Sequence, residues 1–378
     1  MISFAKGMFF DLSFQAIKMI ENLEIRKNTG VLHKDIPDLF YQKAISQLSN
    51  LLDEVQAIIN SGDLELESIM SNNLVRYNTF HERFQAIELF QYEVIVKYGD
   101  AEHYFNNKIK RIYDEIQNVQ VPPIVTTISN SENYYWAHPY YSIIAVPFGE
   151  EAKLLNLPDL YHEICHLIYK QYSNSLIGNF KKDIKTFYEE EIIRVDDEGR
   201  SPELKTIFQE TLQKWLAAWI EEFTCDLMAT FLVGTAYAWT NLKLSTISSR
   251  YKRVYMHSES HPSDEARMRA IFLMLTLNSQ GDKAKTVNTS WDTFLKVTTN
   301  PMPDNYNFLF PDHLIDKLAN YVFKGCKAIG LSNYDLQIQK FGNPISKILN
   351  DSWNKLLDNP GEFKDWESKV IAEIKAQF

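Results

Sequence analysis

The spacing of apolar and polar residues predicts helices over most of the chain. In residues 38–60 and 80–118, apolar side chains recur at intervals of three and four, with polar residues between them. This spacing places the apolar side chains on one face of a helix. Residues 1–120 and 276–378 are therefore expected to form helical regions on either side of a central region.

The pattern changes between residues 124 and 147. Two short runs rich in β-branched residues, IVTTIS and YSIIAVP, are separated by a polar turn and by the aromatic segment YYWAHPYY. Runs of this kind are typical of β-strands. We therefore expect a mainly α-helical protein that contains a small antiparallel β-sheet.

More helices are predicted after the sheet. One helix is expected to begin near Pro158, because proline is favoured in the first turn of a helix. Residues 173–210 are polar and highly charged, which indicates surface helices and a loop. A strongly apolar helix is expected at residues 208–240. The predicted regions are thus a helical N-terminal region at 1–120, a central region at 121–275 and a helical C-terminal region at 276–378.

The charge and the cysteines narrow the class of protein. The chain has 39 Lys and Arg against 49 Asp and Glu, a net charge of −10. A nucleic-acid partner is not expected, because phosphate binding requires a basic surface. The three cysteines, Cys165, Cys225 and Cys326, stand far apart. Such a sparse, odd set is typical of reduced thiols in a cytoplasmic protein.

Neither export nor a membrane span is predicted. The N-terminal segment MISFAKGMFFDLSFQ has Asp11 where a signal peptide would have its apolar core. The apolar segment 215–239 carries Glu221, Glu222 and Asp226 in its middle. Carboxylates at these positions would be costly in lipid. The segment is therefore expected to be an acidic helix buried inside the protein.

The segment HEICH at residues 162–166 is the main candidate for chemistry. His162 and His166 are four residues apart, so both lie on one face of a helix. Their ring nitrogens can reach one tetrahedral metal ion, and Glu163 can accept a proton from a metal-bound water. Chance alone would place such a motif in about 1–2% of chains of this composition, so a third ligand is needed.

A glutamate is the best candidate for the third ligand, since no third histidine closely follows His166. The segment WIEEFTCDLMATF contains Glu222 and Asp226, the only Glu-x-x-x-Asp in the chain. Carboxylates among apolar residues are costly to bury unless they are paired or bound to metal. Glu222 is predicted to bind the metal, and Asp226 to accept a ring N–H of a ligand histidine. Two alternatives stay open: Glu221 as the ligand, or pairing of these acids with Arg or Lys in a structural network.

HEICH, followed after 55 residues by EFTCD, resembles the motifs of the gluzincin metallopeptidases, the thermolysin- and neprilysin-like clan. The resemblance implies a gluzincin-like catalytic core, a Zn²⁺ cofactor and a peptide or protein substrate. It also implies roles for individual residues: His162, His166 and Glu222 as zinc ligands, Glu163 as general base and Asp226 as the partner of a ligand histidine.

The segment HPSDEARMRAI at residues 261–271 is similar to the His-Pro…Arg segment of the prenyl-protease and heat-shock membrane peptidase branch. This similarity implies a catalytic role for His261, or a contact of Arg267 with the oxyanion or the substrate. A nearby tyrosine is a third candidate for the oxyanion contact. Members of that branch span membranes, and no span is predicted here.

The function expected from these residues is hydrolysis of peptide bonds. In gluzincins an edge strand before the zinc helix pairs with the substrate, and residues 142–147 stand at that place, although a core strand is equally compatible with them. Two other functions stay open: a helical binding or scaffold protein with a structural or inert metal site, and a zinc hydrolase of a non-peptide amide or ester. The isolated histidines are predicted to have no ligand role: His33, His103, His257 and His313.

Overall fold

The computed structural model confirms the mainly helical fold. Helices make up 76% of it, and they accompany one small three-stranded sheet, which is mixed and not wholly antiparallel as expected. The residues described are 2–65, 70–117, 120–130, 134–247, 253–298 and 301–377, with side chains from residue 6 onward except at 65 and 70. The chain divides into two compact units, Met1–Phe105 with Thr126–Ile128, and Asn106–Val125 with Ser129–Phe378. The three regions expected from the sequence stay a prediction.

The described residues form α-helices, β-strands and several short helical turns. The α-helices are α1 (Ile2–Asn28), α2 (Asp38–Asn60), α3 (Met70–Ile87), α4 (Glu93–Val96), α5 (Asp100–Ile116), α6 (Pro158–Ile177), α7 (Phe180–Asp197), α8 (Pro202–Lys214), α9 (Ile220–Val233), α10 (Thr235–Thr246), α11 (Asp264–Leu277), α12 (Gly281–Val297), α13 (Tyr306–Leu309), α14 (Asp312–Ala328), α15 (Tyr334–Phe341), α16 (Ile345–Asp358) and α17 (Phe363–Lys375). The strands are β1 (Ile124–Ser129), β2 (Trp136–His138) and β3 (Ile143–Pro147). Two π-helical turns are present at Glu88–Tyr92 and Trp215–Trp219.

The first unit is built on three packed helices. Helix α1 packs along α2, and both contact α3. The spacing of apolar residues in α2 explains this packing, because residues three and four apart share one face. That face is buried and consists of Phe40, Tyr41, Ala44, Leu48, Leu51 and Val55.

Helix α6 lies in the centre of the second unit and begins at Pro158, as predicted. It packs against α9 and α14, and α11 in turn packs against both of these helices. Gly325 allows α14 to approach α6 closely. A Cβ atom at this position would lie 2.6 Å from the Cα atom of Leu176. Burial of α6 on several sides holds its side chains in fixed positions.

The prediction of one apolar helix over residues 208–240 is wrong. This part of the chain forms α8, the π-helical turn Trp215–Trp219, α9 and α10. The break between α9 and α10 falls at Gly234, whose φ of 76° is in the left-handed region that favours glycine. Helix α10 therefore packs back against α9 instead of extending it.

Two of the three acidic residues of this apolar segment are buried, as expected from the sequence, whereas the side chain of Glu221 is 39% exposed. Asp226 is 0% exposed and Glu222 is 9% exposed. None of the described helices combines the length and the apolar character needed to cross a membrane. Because Asp226 and Glu222 are almost fully buried, their carboxylates need partners inside the protein.

The sheet has the strand order β1-β3-β2, and β2 pairs with β3 antiparallel. Trp136 lies opposite Ala145, and His138 lies opposite Ile143. Because β3 is the central strand and all its residues are buried, both of its sides are occupied. Of the two alternatives that the sequence left open for residues 142–147, an edge strand and a core strand, the structure has the core strand.

Candidate metal centre

Two packed helices bring the three predicted ligands together. Helix α6 carries His162 and His166, and α9, which packs against α6, carries Glu222. One ring nitrogen of each histidine and one carboxylate oxygen of Glu222 all lie within 4.8 Å of one another. The four-residue spacing places both histidines on one face of α6, and the packing of α9 supplies the glutamate.

The distances within this group fit a tetrahedral metal ion. Nε2 of His162 lies 3.5 Å from Oε2 of Glu222, and Nε2 of His166 lies 3.6 Å from Oε1. Both distances exceed those of ordinary hydrogen bonds. Two ligand atoms bound tetrahedrally to one zinc ion would be about 3.4 Å apart. Oε2 of Glu222 is buried and has no hydrogen-bond partner among the described residues, so the site can accept a cation there.

A second carboxylate contacts each histidine on the ring nitrogen that faces away from Glu222. Nδ1 of His162 lies 3.0 Å from Oδ1 of Asp226, and Nδ1 of His166 lies 2.8 Å from Oε1 of Glu221. A carboxylate that accepts the Nδ1–H bond leaves the Nε2 lone pair free for a metal. Asp226 thus lies against the ring of His162, and Glu221 contacts the ring of His166 on the side away from Glu222; the role of Asp226 as partner of a metal ligand stays a prediction.

Asp226 is the centre of a buried hydrogen-bond network. Arg267 donates to it from Nε and from Nη2, each at 2.7 Å. The Tyr237 hydroxyl donates to Oδ1 of Asp226 at 2.5 Å and lies 3.0 Å from Nδ1 of His162. Burial alone would raise the pKa of Asp226, but the charge and hydrogen bonds of Arg267 hold it well below its usual range. Asp226 is therefore a fixed negative charge behind His162.

The network includes one residue that the sequence does not indicate. Tyr237 is one of 20 tyrosines, and it has no motif spacing relative to His162 or Asp226. It reaches them because the break at Gly234 folds α10 back onto α9. Its buried position is therefore a consequence of the turn between the two helices.

The structure places Arg267 against Asp226. Two of its guanidinium nitrogens are directed at that carboxylate, and the side chain is 15% exposed. Its observed contact is therefore with the carboxylate that holds His162. The expected contact of Arg267 with an oxyanion or a substrate stays a prediction.

The charges of the site favour a cation between the histidines and Glu222. Burial would lower the pKa of His162, but hydrogen bonding to Asp226 and the charge of Glu222 raise it to about 10. Burial would raise the pKa of Glu222, but His162 lowers it to about 2. Metal binding in such a site displaces the ring proton, so affinity for the metal depends on pH.

Glu163 directly follows His162 on α6 and is 8% exposed. Burial raises the pKa of its carboxyl group, although the nearby His162 and His166 oppose the shift. A carboxylate with a raised pKa is better suited to accept a proton and then release it. Its role as general base stays a prediction.

His261 lies on the solvent side of Glu222. Its Nε2 is 3.8 Å from Oε2 of Glu222, and its side chain is 55% exposed. The Ser260 hydroxyl lies 2.8 Å from Nδ1 of His261, and Nε1 of Trp219 donates to the carbonyl oxygen of Ser258 at 3.1 Å. The segment at Ser258–His261 is thus anchored to the π-helical turn Trp215–Trp219, and the exposed ring of His261 lies beside Glu222. Its catalytic role stays a prediction.

Comparisons of the chain with protein-family models, with curated proteins and with solved structures found no match. The resemblance to gluzincins is therefore carried by the motif residues alone. What the site can do chemically must be judged from its own residues and distances.

Proposed function

We propose that this protein is a zinc-dependent metallopeptidase whose Zn²⁺ is held by His162, His166 and Glu222. The observation that carries the proposal is the arrangement around Glu222. Its carboxylate faces Nε2 of both histidines, while a separate carboxylate lies against Nδ1 of each. Three protein ligands leave one position of a tetrahedral zinc ion open, as in catalytic sites, whereas structural sites close all four positions.

When bound, zinc would supply a Lewis acid that lowers the pKa of a water molecule and polarises a carbonyl group. Glu163 accepts a proton from the attacking water and transfers it to the leaving amine nitrogen. His261 donates a hydrogen bond from Nε2 to the carbonyl oxygen of the substrate as negative charge develops there. Asp226, held by Arg267 and Tyr237, keeps the His162 ring in one orientation.

Metal content and peptidase turnover, measured on the same preparations, test the proposal. The parent protein, purified without added metal, is expected to contain zinc by mass spectrometry, and the Glu222→Ala variant is expected to contain about one equivalent less. The Glu163→Gln variant is expected to keep the zinc and to lose about 10²- to 10⁴-fold in turnover of peptide substrates. Glu210→Gln, a change at an exposed glutamate on α8, serves as the matched control.

Three outcomes would contradict the proposal. The first is a parent protein without zinc. The second is zinc binding that is indifferent to Glu222, and the third is full peptidase activity in the Glu163→Gln variant. Hydrolysis of esters or small amides that requires Glu163, without hydrolysis of peptides, would instead assign a non-peptide hydrolase.

A further inference from the structure

We propose that His33, Asp35 and His103 form a second binding site for a divalent transition-metal ion, within the first unit. One ring nitrogen of each histidine and one carboxylate oxygen of Asp35 all lie within 4.8 Å of one another. His33 and Asp35 belong to the connection between α1 and α2, and His103 lies on α5. The sequence predicts no ligand role for either histidine, because each is isolated in the chain and such histidines are more often surface or core residues.

Asp35 is the centre of the site. Its Oδ2 atom lies 2.6 Å from Nδ1 of His103 and 3.5 Å from Nδ1 of His33. This oxygen is buried, and it accepts no well-aligned hydrogen bond from any described residue. A buried carboxylate oxygen without such a bond is costly. A cation between the carboxylate and the two rings would remove that cost.

The ring of His33 already presents an unprotonated nitrogen. The backbone N–H of Asp35 donates to Nδ1 of His33 at 3.3 Å, so this nitrogen carries a lone pair. The bond is longer than usual, and a metal ion can take its place. Two imidazoles and one carboxylate are ligands that zinc and other first-row divalent ions accept.

A simple ion pair between Asp35 and protonated His103 is the competing explanation. Such a pair needs only one histidine, and at side-chain exposures of 24% for Asp35 and 35% for His103 it would stabilise the fold little. The ion pair makes His33 dispensable, whereas a metal site requires it. The dependence on His33 therefore separates the two explanations. The same partial exposure leaves room for an ion to enter.

A metal ion at this place would tie the connection between α1 and α2 to α5. The connection spans residues 29–37. A cation that binds the folded state alone stabilises it by mass action. The site is separate from the centre formed by α6 and α9, and the inference does not depend on the peptidase proposal.

Equilibrium dialysis against Zn²⁺, followed by metal analysis, tests the inference in a Glu222→Ala background that removes the ligand from the other centre. We expect one zinc equivalent to remain in this background. His33→Ala and Asp35→Asn are each expected to weaken its binding more than about tenfold. His81→Ala, at a histidine of the same unit that stacks on Tyr77, is the matched control and is expected to leave binding unchanged.

The inference is overturned if the Glu222→Ala background binds no zinc, or if His33→Ala binds as tightly as its background. Circular dichroism establishes that each variant is folded. If Glu222→Ala does not fold, the same substitutions are made in the parent chain. There His33→Ala must lower the zinc content by one equivalent, whether or not the centre on α6 and α9 is occupied, and an unchanged content again overturns the inference.

Discussion

Replacement of Tyr237 by phenylalanine tests the network behind the proposed metal centre. The change removes one oxygen atom and keeps the aromatic ring in place. That oxygen donates to Asp226 at 2.5 Å and lies 3.0 Å from Nδ1 of His162. Tyr237 is 1% exposed, so water cannot readily replace the lost hydroxyl group.

The expected loss follows from the charge of the acceptor. Hydrogen bonds to charged groups contribute about 1.5–3 kcal/mol, roughly twice the value for neutral pairs. Asp226 keeps its two bonds from Arg267, so the network is weakened and not removed. We therefore expect the free energy of unfolding to fall by about 2 kcal/mol. Zinc affinity is expected to fall about 10- to 100-fold, because the His162 ring is less firmly oriented.

Two measurements check this expectation. Urea denaturation in the presence of a chelator gives the change in unfolding free energy without any contribution from metal. Competition with a chromophoric chelator gives the zinc affinity. The control is Tyr161→Phe, the same chemical change at a tyrosine that is 0% exposed and whose hydroxyl has no hydrogen-bond partner among the described residues. Removing an unpaired buried hydroxyl should not destabilise the protein.

The comparison between the two variants decides whether the Tyr237 hydroxyl stabilises the network around Asp226. If Tyr237→Phe stays within about 0.5 kcal/mol of the parent and binds zinc equally well, the hydroxyl does not hold the site together. If Tyr161→Phe destabilises the protein as much as Tyr237→Phe does, the loss comes from packing and not from the bond to Asp226.

Three further changes probe the surroundings of the centre. Arg267→Met removes the guanidinium that pairs with the buried charge of Asp226. It should lower the free energy of unfolding, measured in urea, by about 3–5 kcal/mol. A loss below about 1 kcal/mol would show that the pair is not needed for stability. Glu221→Ala removes the carboxylate on Nδ1 of His166 and should weaken zinc binding at least about tenfold. The melting temperature should change little, since Glu221 is 39% exposed. Unchanged zinc affinity would show that this contact is incidental. Gly325→Ala adds a Cβ atom 2.6 Å from the backbone of α6. It should destabilise the fold by about 1–3 kcal/mol, measured by thermal unfolding. An unchanged unfolding temperature would mean that α14 moves away from α6 freely.

The spacing of residues along the chain was enough to predict the helical fold class and the two histidines of the candidate centre. Apolar spacing predicts helices, and four residues of helix place His162 and His166 on one face. The start of α6 at Pro158 follows from the restricted φ of proline. The choice of Glu222 as third ligand rested on buried acids in an apolar segment, and the structure brings it to both histidines.

Local pattern could not predict how the segments pack. Residues 142–147 have the composition of a strand, but whether a strand is central or at an edge depends on which other strands pair with it. The apolar run 208–240 has helical spacing throughout, and the turn at Gly234 depends on a left-handed backbone. The helix expected at residues 208–240 is therefore broken, and the sequence alone left the choice between an edge and a core position open for residues 142–147.

The tertiary structure alone decided which carboxylate lies against His166 and which residues hold Asp226. Glu221 and Glu222 are neighbours in sequence, and the rotation of α9 against α6 determines which of them faces the Nε2 atoms. Tyr237 and Arg267 meet at Asp226 because α10 and α11 both pack against α9. A periodic pattern specifies which face of a helix is buried, but the contacts on that face depend on elements distant in sequence.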